Sequence, residues 1–123
     1  MEGTAYIKRP GVTTVRKQDG EIEVEWDKLI IATGSRILNI PAFPFDGRQI
    51  VSSNDALCLE TVPESVVIVG GGVIGCEFAG ILSALGSAVT VIEAMPRLLP
   101  LPSTDENCSK VLQREMKKKK INS

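Results

Sequence analysis

Three glycines and two glutamates carry the chemistry that this sequence is equipped to do. Gly70, Gly72 and Gly75 form a G-x-G-x-x-G pattern inside "SVVIVGGGVIGCEFAG", Ser65 to Gly80. In a dinucleotide-binding turn the first glycine lets the chain leave a strand tightly. The second lets a pyrophosphate approach the backbone, and the third lets a helix pack close to the sheet. The helix that follows presents free N–H groups and a partial positive charge to the phosphates. Glu93 stands 18 positions after Gly75, where an acid about 20 residues on accepts bonds from the ribose hydroxyls. A carboxylate there repels a 2′-phosphate and so favours NAD over NADP; Arg97 close by is the counter-signal. Glu77 falls in the first helical turn and has two readings. It is a carboxylate stabilised by the helix dipole, or a group near the reactive end of the cofactor. The plain alternative for the glycines is a tight turn without a ligand, and the context of strand, helix, second strand and terminal acid argues against it.

Those residues need a strand, a helix and a second strand to position them. "VVIV", Val66 to Val69, reads as a buried strand. From Val73 the apolar residues Val73, Ile74, Phe78, Ile81, Leu82 and Leu85 fall at helical spacing. Gly86 ends that helix in the C′ role. "AVTVIE", Ala88 to Glu93, is the second strand. "STDE", Ser103 to Glu106, has the capping-box pattern for another helix, which carries Val111, Leu112 and Met116 toward a core. A right-handed crossover makes the two strands parallel.

The chain before this unit reads differently. "TTVRK" and the alternating "EIEVEW", Glu21 to Trp26, flank Asp19-Gly20 and predict a half-buried antiparallel hairpin. Leu29 to Ala32 reads as a short apolar strand covered on both faces. Pro41, Pro44 and Gly47 break regular structure over residues 36–63, where Ser52 to Glu60 carries a short helical turn capped by Ser53 or Asn54. The fold class is therefore α/β: a Rossmann-like βαβα half-domain preceded by an antiparallel hairpin or meander.

Composition sets the outer bounds. The 123 residues are 43% hydrophobic and 24% charged, with net charge −1, which suits one globular domain of ordinary size. No global field favours nucleic acid, and the basic run Lys117 to Lys120 reads as a solvated helix end. There is no histidine, which removes the commonest general base near neutral pH and the commonest metal ligand. Cys58, Cys76 and Cys108 form neither a C-x-x-C nor a zinc pattern. Their odd number, without a leader sequence, points to a reducing cytoplasm. Cys76 reads as a small buried hydrophobe. No metal site is expected, and no apolar run approaches a membrane span.

"DKLIIATGS", the Pro-rich connection and "VPESVVIVGGGVIGCEFAGILSALGSAVTVIE" together resemble the pyridine nucleotide–disulfide oxidoreductase family, and within it the dihydrolipoamide dehydrogenase branch. The resemblance implies that residues 1–35 are the last part of an FAD-binding domain and 36–63 a connection. Residues 64–123 would be the first half of an NAD-binding domain. It implies that Ala32, Thr33 and Gly34 approach the flavin dinucleotide, that Gly70, Gly72 and Gly75 open the NAD domain, and that Glu93 holds the adenosine ribose. Glu77 would lie beside nicotinamide and flavin.

Several family parts are missing from this sequence: an earlier G-x-G-x-x-G for FAD, a C-x-x-x-x-C pair and a catalytic histidine. The expectation is thus a fragment with no catalytic residue of its own, binding NAD, with FAD in the full-length parent. Mercuric reductase, glutathione reductase and NADH oxidase remain alternative parents, and a non-catalytic nucleotide-binding or interaction module is the alternative class. Two strands and two helices leave apolar sheet edge uncovered, so a homo-oligomer, with or without exchanged elements, is expected.

Overall fold

The computed structural model describes all residues, 1–123, and they form two compact units, Met1–Leu38 and Asn39–Ser123. In the first, β1 (Thr4–Arg9), β2 (Val12–Lys17) and β3 (Gly20–Glu25) make an antiparallel sheet in that order. The predicted hairpin is β2–β3, and β1 adds a strand to it. Lys17 pairs with Gly20, so the turn residues are Gln18 and Asp19, and Gly20 already belongs to the ladder at a positive φ of 138°. The alternation read from the sequence separates two faces. Thr13 and Val15 lie opposite Val24 and Ile22, whereas Thr14 and Arg16 lie opposite Glu23 and Glu21. The polar face carries ion pairs of Lys8 with Glu23 and of Arg16 with Glu21, and Arg16 stacks over Tyr6. On the other face Thr13 is buried, and the Trp26 indole N–H donates to Thr13 Oγ1 at 3.0 Å; Val12, which starts β2 on the face of Thr14 and Arg16, is buried too.

Leu29 to Ala32 do not form the predicted strand. They are irregular, with Ile30 and Ile31 88% and 70% exposed. A strand exists only by pairing its N–H and C=O groups with a neighbour, and no neighbouring strand reaches this apolar run.

The second unit holds α1 (Ser53–Ala56), β4 (Ser65–Val69), α2 (Val73–Ala84), β5 (Ala88–Ile92) and α3 (Glu106–Lys118). α1 is the predicted short turn, but its cap is Ser52, not Ser53 or Asn54. The Ser52 side chain accepts from Asp55 N–H while the Asp55 carboxylate accepts from Ser52 N–H, a reciprocal capping box. β4 and β5 are parallel, from Ser65 opposite Ala88 to Val69 opposite Ile92. α2 ends as predicted at Gly86. Gly86 N–H donates to Ser83 O and Ser87 N–H to Leu82 O, the Schellman arrangement, with Gly86 at φ 102°. α3 is capped by Asp105, which accepts from Asn107 N–H, and not by Ser103.

One hydrophobic cluster binds this unit. It contains Ala79 and Leu82 of α2, Val89 and Val91 of β5, Leu98, Met116 of α3 and Ile121. Val66, Ile68, Cys76, Phe78 and Leu112 pack against it. The sheet is therefore covered on one face only. Val67, Val69 and Ile92 of its other face are exposed, which corrects the reading of β4 as a fully buried strand. Its composition suits two covering layers, and this chain provides one. Val73, Ile74, Ile81 and Leu85 of α2 and Val111 of α3 are also exposed; they lie away from the face each helix turns to the cluster.

The chain continues past α3 into the sheet. Lys120 takes a left-handed φ of 60°, Ile121 N–H returns to Met116 O, and Ile121 is 2% exposed. Asn122 then lies parallel to β5. Asn122 N–H donates to Val89 O at 3.1 Å and Asn122 O accepts from Val91 N–H at 2.8 Å. The βαβα unit thus ends in a single parallel bridge on the outer edge of β5.

Candidate dinucleotide-binding site

The carboxyl end of β4 turns into α2 through Gly70, Gly71 and Gly72, and the glycines of the turn differ in what a side chain would meet. Gly70 has φ 112° and its N–H donates to Ile92 O at 2.8 Å, so the chain leaves the strand in a conformation that other residues resist. A Cβ on Gly75 would lie 2.0 Å from Gly70 O. Its absence lets the first turn of α2 sit directly on the strand end. Gly72 caps α2 with no side-chain hydrogen bond, and a Cβ there would meet nothing within 4 Å. The helix therefore starts with unpaired N–H groups facing open space, the arrangement that suits an anion.

Glu93 follows β5 directly and reaches the turn. Its Oε2 accepts from Gly71 N–H at 2.7 Å and its Oε1 from Met95 N–H at 2.8 Å. These two backbone donors, Met95 first, hold its carboxyl below the usual carboxylate range. Two oxygens with about four lone-pair sites leave room for ribose hydroxyls beside these bonds. The acid and the glycine turn are thus brought together at one sheet end.

Arg97 is not free to meet a 2′-phosphate. Its guanidinium donates to Leu99 O, Leu101 O, Thr104 O and Ser109 Oγ at 2.5 to 3.3 Å. The counter-signal to NAD thus has a structural use. Cys76 packs against the core cluster but is half-buried rather than buried; its thiol donates to Gly71 O at 3.4 Å, and burial, then Glu93 and Glu77, push its pKa up. Glu77 is exposed on α2 and makes no ion pair. Ala32, Thr33 and Gly34 belong to the other unit and are exposed and irregular, Gly34 at φ 80°.

Gly71 is the glycine of the turn that the motif spacing does not mark. A Cβ there would lie 2.5 Å from Leu98 Cδ2 and 3.1 Å from Glu93 Cβ. Its place in the run "GGG" is the only sign of it in the sequence. No group of three or more metal-ligating side chains is assembled, and no helix is long and apolar enough to cross a membrane.

This fold and turn define a class. The chain belongs to the pyridine nucleotide-disulphide oxidoreductases, whose family model matches residues 2–123. Among particular relatives it is similar to dihydrolipoyl dehydrogenase of Bacillus subtilis (strain 168), 42% identical over 116 residues, which are 94% of this chain and 25% of that protein. It is also similar to dihydrolipoamide dehydrogenase of Chaetomium thermophilum, 38% identical over 123 residues, 99% of this chain and 24% of that protein. Its structure resembles LpdA from Mycobacterium tuberculosis, with TM-score 0.72, 27% identity, and coverage of 98% of this chain and 27% of that one. The flavoprotein disulfide reductase RclA from Escherichia coli matches with TM-score 0.66 and 27% identity over 99% of this chain and 27% of that one. The chain spans about a quarter of the length of the curated relatives it matches.

Proposed function

We propose that this chain carries the pyrophosphate- and adenosine-ribose-binding half of an NAD site belonging to a dihydrolipoamide dehydrogenase. The observation that carries the reading is the Glu93–Gly71 bond at 2.7 Å, which puts a carboxylate beside a glycine turn whose helix begins uncapped. The N–H groups at the start of α2 would hold the pyrophosphate, and the open space at Gly72 admits it. Glu93 would accept the ribose hydroxyls. The four bonds of Arg97 favour NAD over NADP, because they leave that cation no free donor pair for an extra phosphate.

When bound, NAD accepts a hydride, and in the parent protein its two electrons would come from a dithiol by way of a disulfide and then FAD. This chain contributes binding and orientation, with Glu77 as the group nearest the reactive end. In the parent protein Ala32, Thr33 and Gly34 would approach the flavin dinucleotide, with Gly34 turning the backbone there at φ 80°. The chain is taken to work in the cytoplasm and to associate with itself through its uncovered apolar surface.

Calorimetric titration of the chain with NAD tests the reading. Saturable binding that weakens about tenfold in Glu93→Ala is expected, with NADP binding more weakly than NAD. Heat independent of Glu93 would count against it, as would equal affinity for the two nucleotides. Within the alternative of a non-catalytic nucleotide-binding or interaction module, only the interaction module predicts no nucleotide binding at all.

A further inference from the structure

The segment from Glu93 to Leu99 grips the glycine turn at one residue. Gly71 N–H donates to Glu93 Oε2 at 2.7 Å, and Gly71 O accepts from Leu99 N–H, also at 2.7 Å. Leu98, 3% exposed, fills the space that a Cβ on Gly71 would need. Both polar groups of Gly71 thus bond residues that follow β5, and Gly71 O accepts a second, longer bond from the Cys76 thiol at 3.4 Å. Leu99 reaches Gly71 in a left-handed backbone conformation, φ 49°, which a leucine resists.

Something must hold it there, and Arg97 Nη1 donates to Leu99 O at 2.8 Å. The same guanidinium is anchored on Leu101 O, Thr104 O and Ser109 Oγ, the last a fully buried side chain of α3. A planar fork with five donors makes four such bonds from a single position; a lysine cannot reproduce them.

We propose that Arg97 is a positioning residue for the phosphate turn. It holds Leu99 left-handed against the first part of α3, and Leu99 together with Glu93 then fixes Gly71 so that the N–H groups at the start of α2 keep one orientation. The ligand end of the proposal rests on the nucleotide reading above. The latch itself rests only on this chain's geometry.

The test pairs amide hydrogen exchange, read by NMR on the full chain, with titrations of NAD and of adenosine. Adenosine carries the ribose that Glu93 would hold but no phosphate. In Arg97→Gln the Gly71 and Leu99 amides should exchange at least about tenfold faster while amides in the middle of α2 keep their rates. NAD affinity should fall about tenfold, and adenosine affinity should not change. Adding Leu99→Gly to Arg97→Gln should restore both NAD affinity and Gly71 protection, since glycine adopts the required φ without help.

Unchanged Gly71 exchange in Arg97→Gln overturns the proposal. So does an equal acceleration of every amide in the unit with equal loss of both ligands, which marks Arg97 as a general brace of α3. If Arg97→Gln does not fold, Leu99→Val makes the same test with Arg97 in place, because a β-branched side chain disfavours the left-handed region. Loosening of Gly71 in a chain that binds neither NAD nor adenosine supports the latch and removes the nucleotide reading, so the two fail separately.

Discussion

Gly72 and Gly75 are both glycines of one motif, and they should fail in opposite ways. Gly75→Ala drives a methyl group to 2.0 Å from Gly70 O; backbone must move, and a loss of about 3 kcal/mol in urea unfolding is expected. Gly72→Ala meets no protein atom within 4 Å and has φ −74°, so its stability should stay within about 0.5 kcal/mol of the parent. Its NAD affinity should nevertheless fall, because the methyl group occupies the space proposed for pyrophosphate. Equal stability losses in the two variants would contradict this division. The sequence disclosed Gly70, Gly72 and Gly75 because their reasons are local: a positive φ, an open approach, a close helix. It did not disclose Gly71, because the atoms that exclude a side chain there belong to Leu98 and Glu93, more than twenty residues away in the chain. The use of Arg97 was hidden for the same reason. Its partners are three backbone carbonyls and one serine hydroxyl, and carbonyls leave no mark in a sequence.

Elements were legible where their pairing or packing partners lie within the chain. β2, β3, β4, α2, β5 and α3 stand close to where periodicity put them, because each finds a partner a short distance along the sequence. Leu29 to Ala32 has the composition of a buried strand and no strand to pair with, so its pattern describes an environment that these residues do not contain. Helix ends were legible when the signal was unique, as at Gly86, and ambiguous when several capping residues stood in a row, as in "STDE". The end of α3 offers a test at this scale. Lys120 occupies the left-handed C′ position that Gly86 occupies after α2. Lys120→Gly should raise stability by about 0.5 to 1 kcal/mol, seen as a higher thermal midpoint. An unchanged or lower midpoint would show that the charge of the lysine near the helix end outweighs its backbone cost.

As a whole the molecule exposes apolar surface of two kinds: the open sheet face at Val67, Val69 and Ile92, and the outer face of α2 at Ile74, Ile81 and Leu85. Contiguous apolar surface of this sort attracts a partner. The expected result is self-association in sedimentation velocity that grows with protein concentration and is reduced by Val67→Thr with Val69→Thr, which keep β-branching on the strand. A chain that stays monomeric at high concentration would remove the proposal of a homo-oligomer.

The short pairing of Asn122 with β5 bears on where a crevice can form. β4, β5 and the bridge at Asn122 step across the sheet in one direction, each return passing over the same face. The opposite edge of β4 takes no part in this advance. Any strand laid on that edge would reverse the direction of winding, and the reversal would fall beside β4. In open sheets of this kind the cleft lies outside the carboxyl ends of the strands at such a reversal, which here is the point where Gly70 leads out of β4. With a strand on that edge, the direction of winding would put the cleft at the one strand end that carries the glycines.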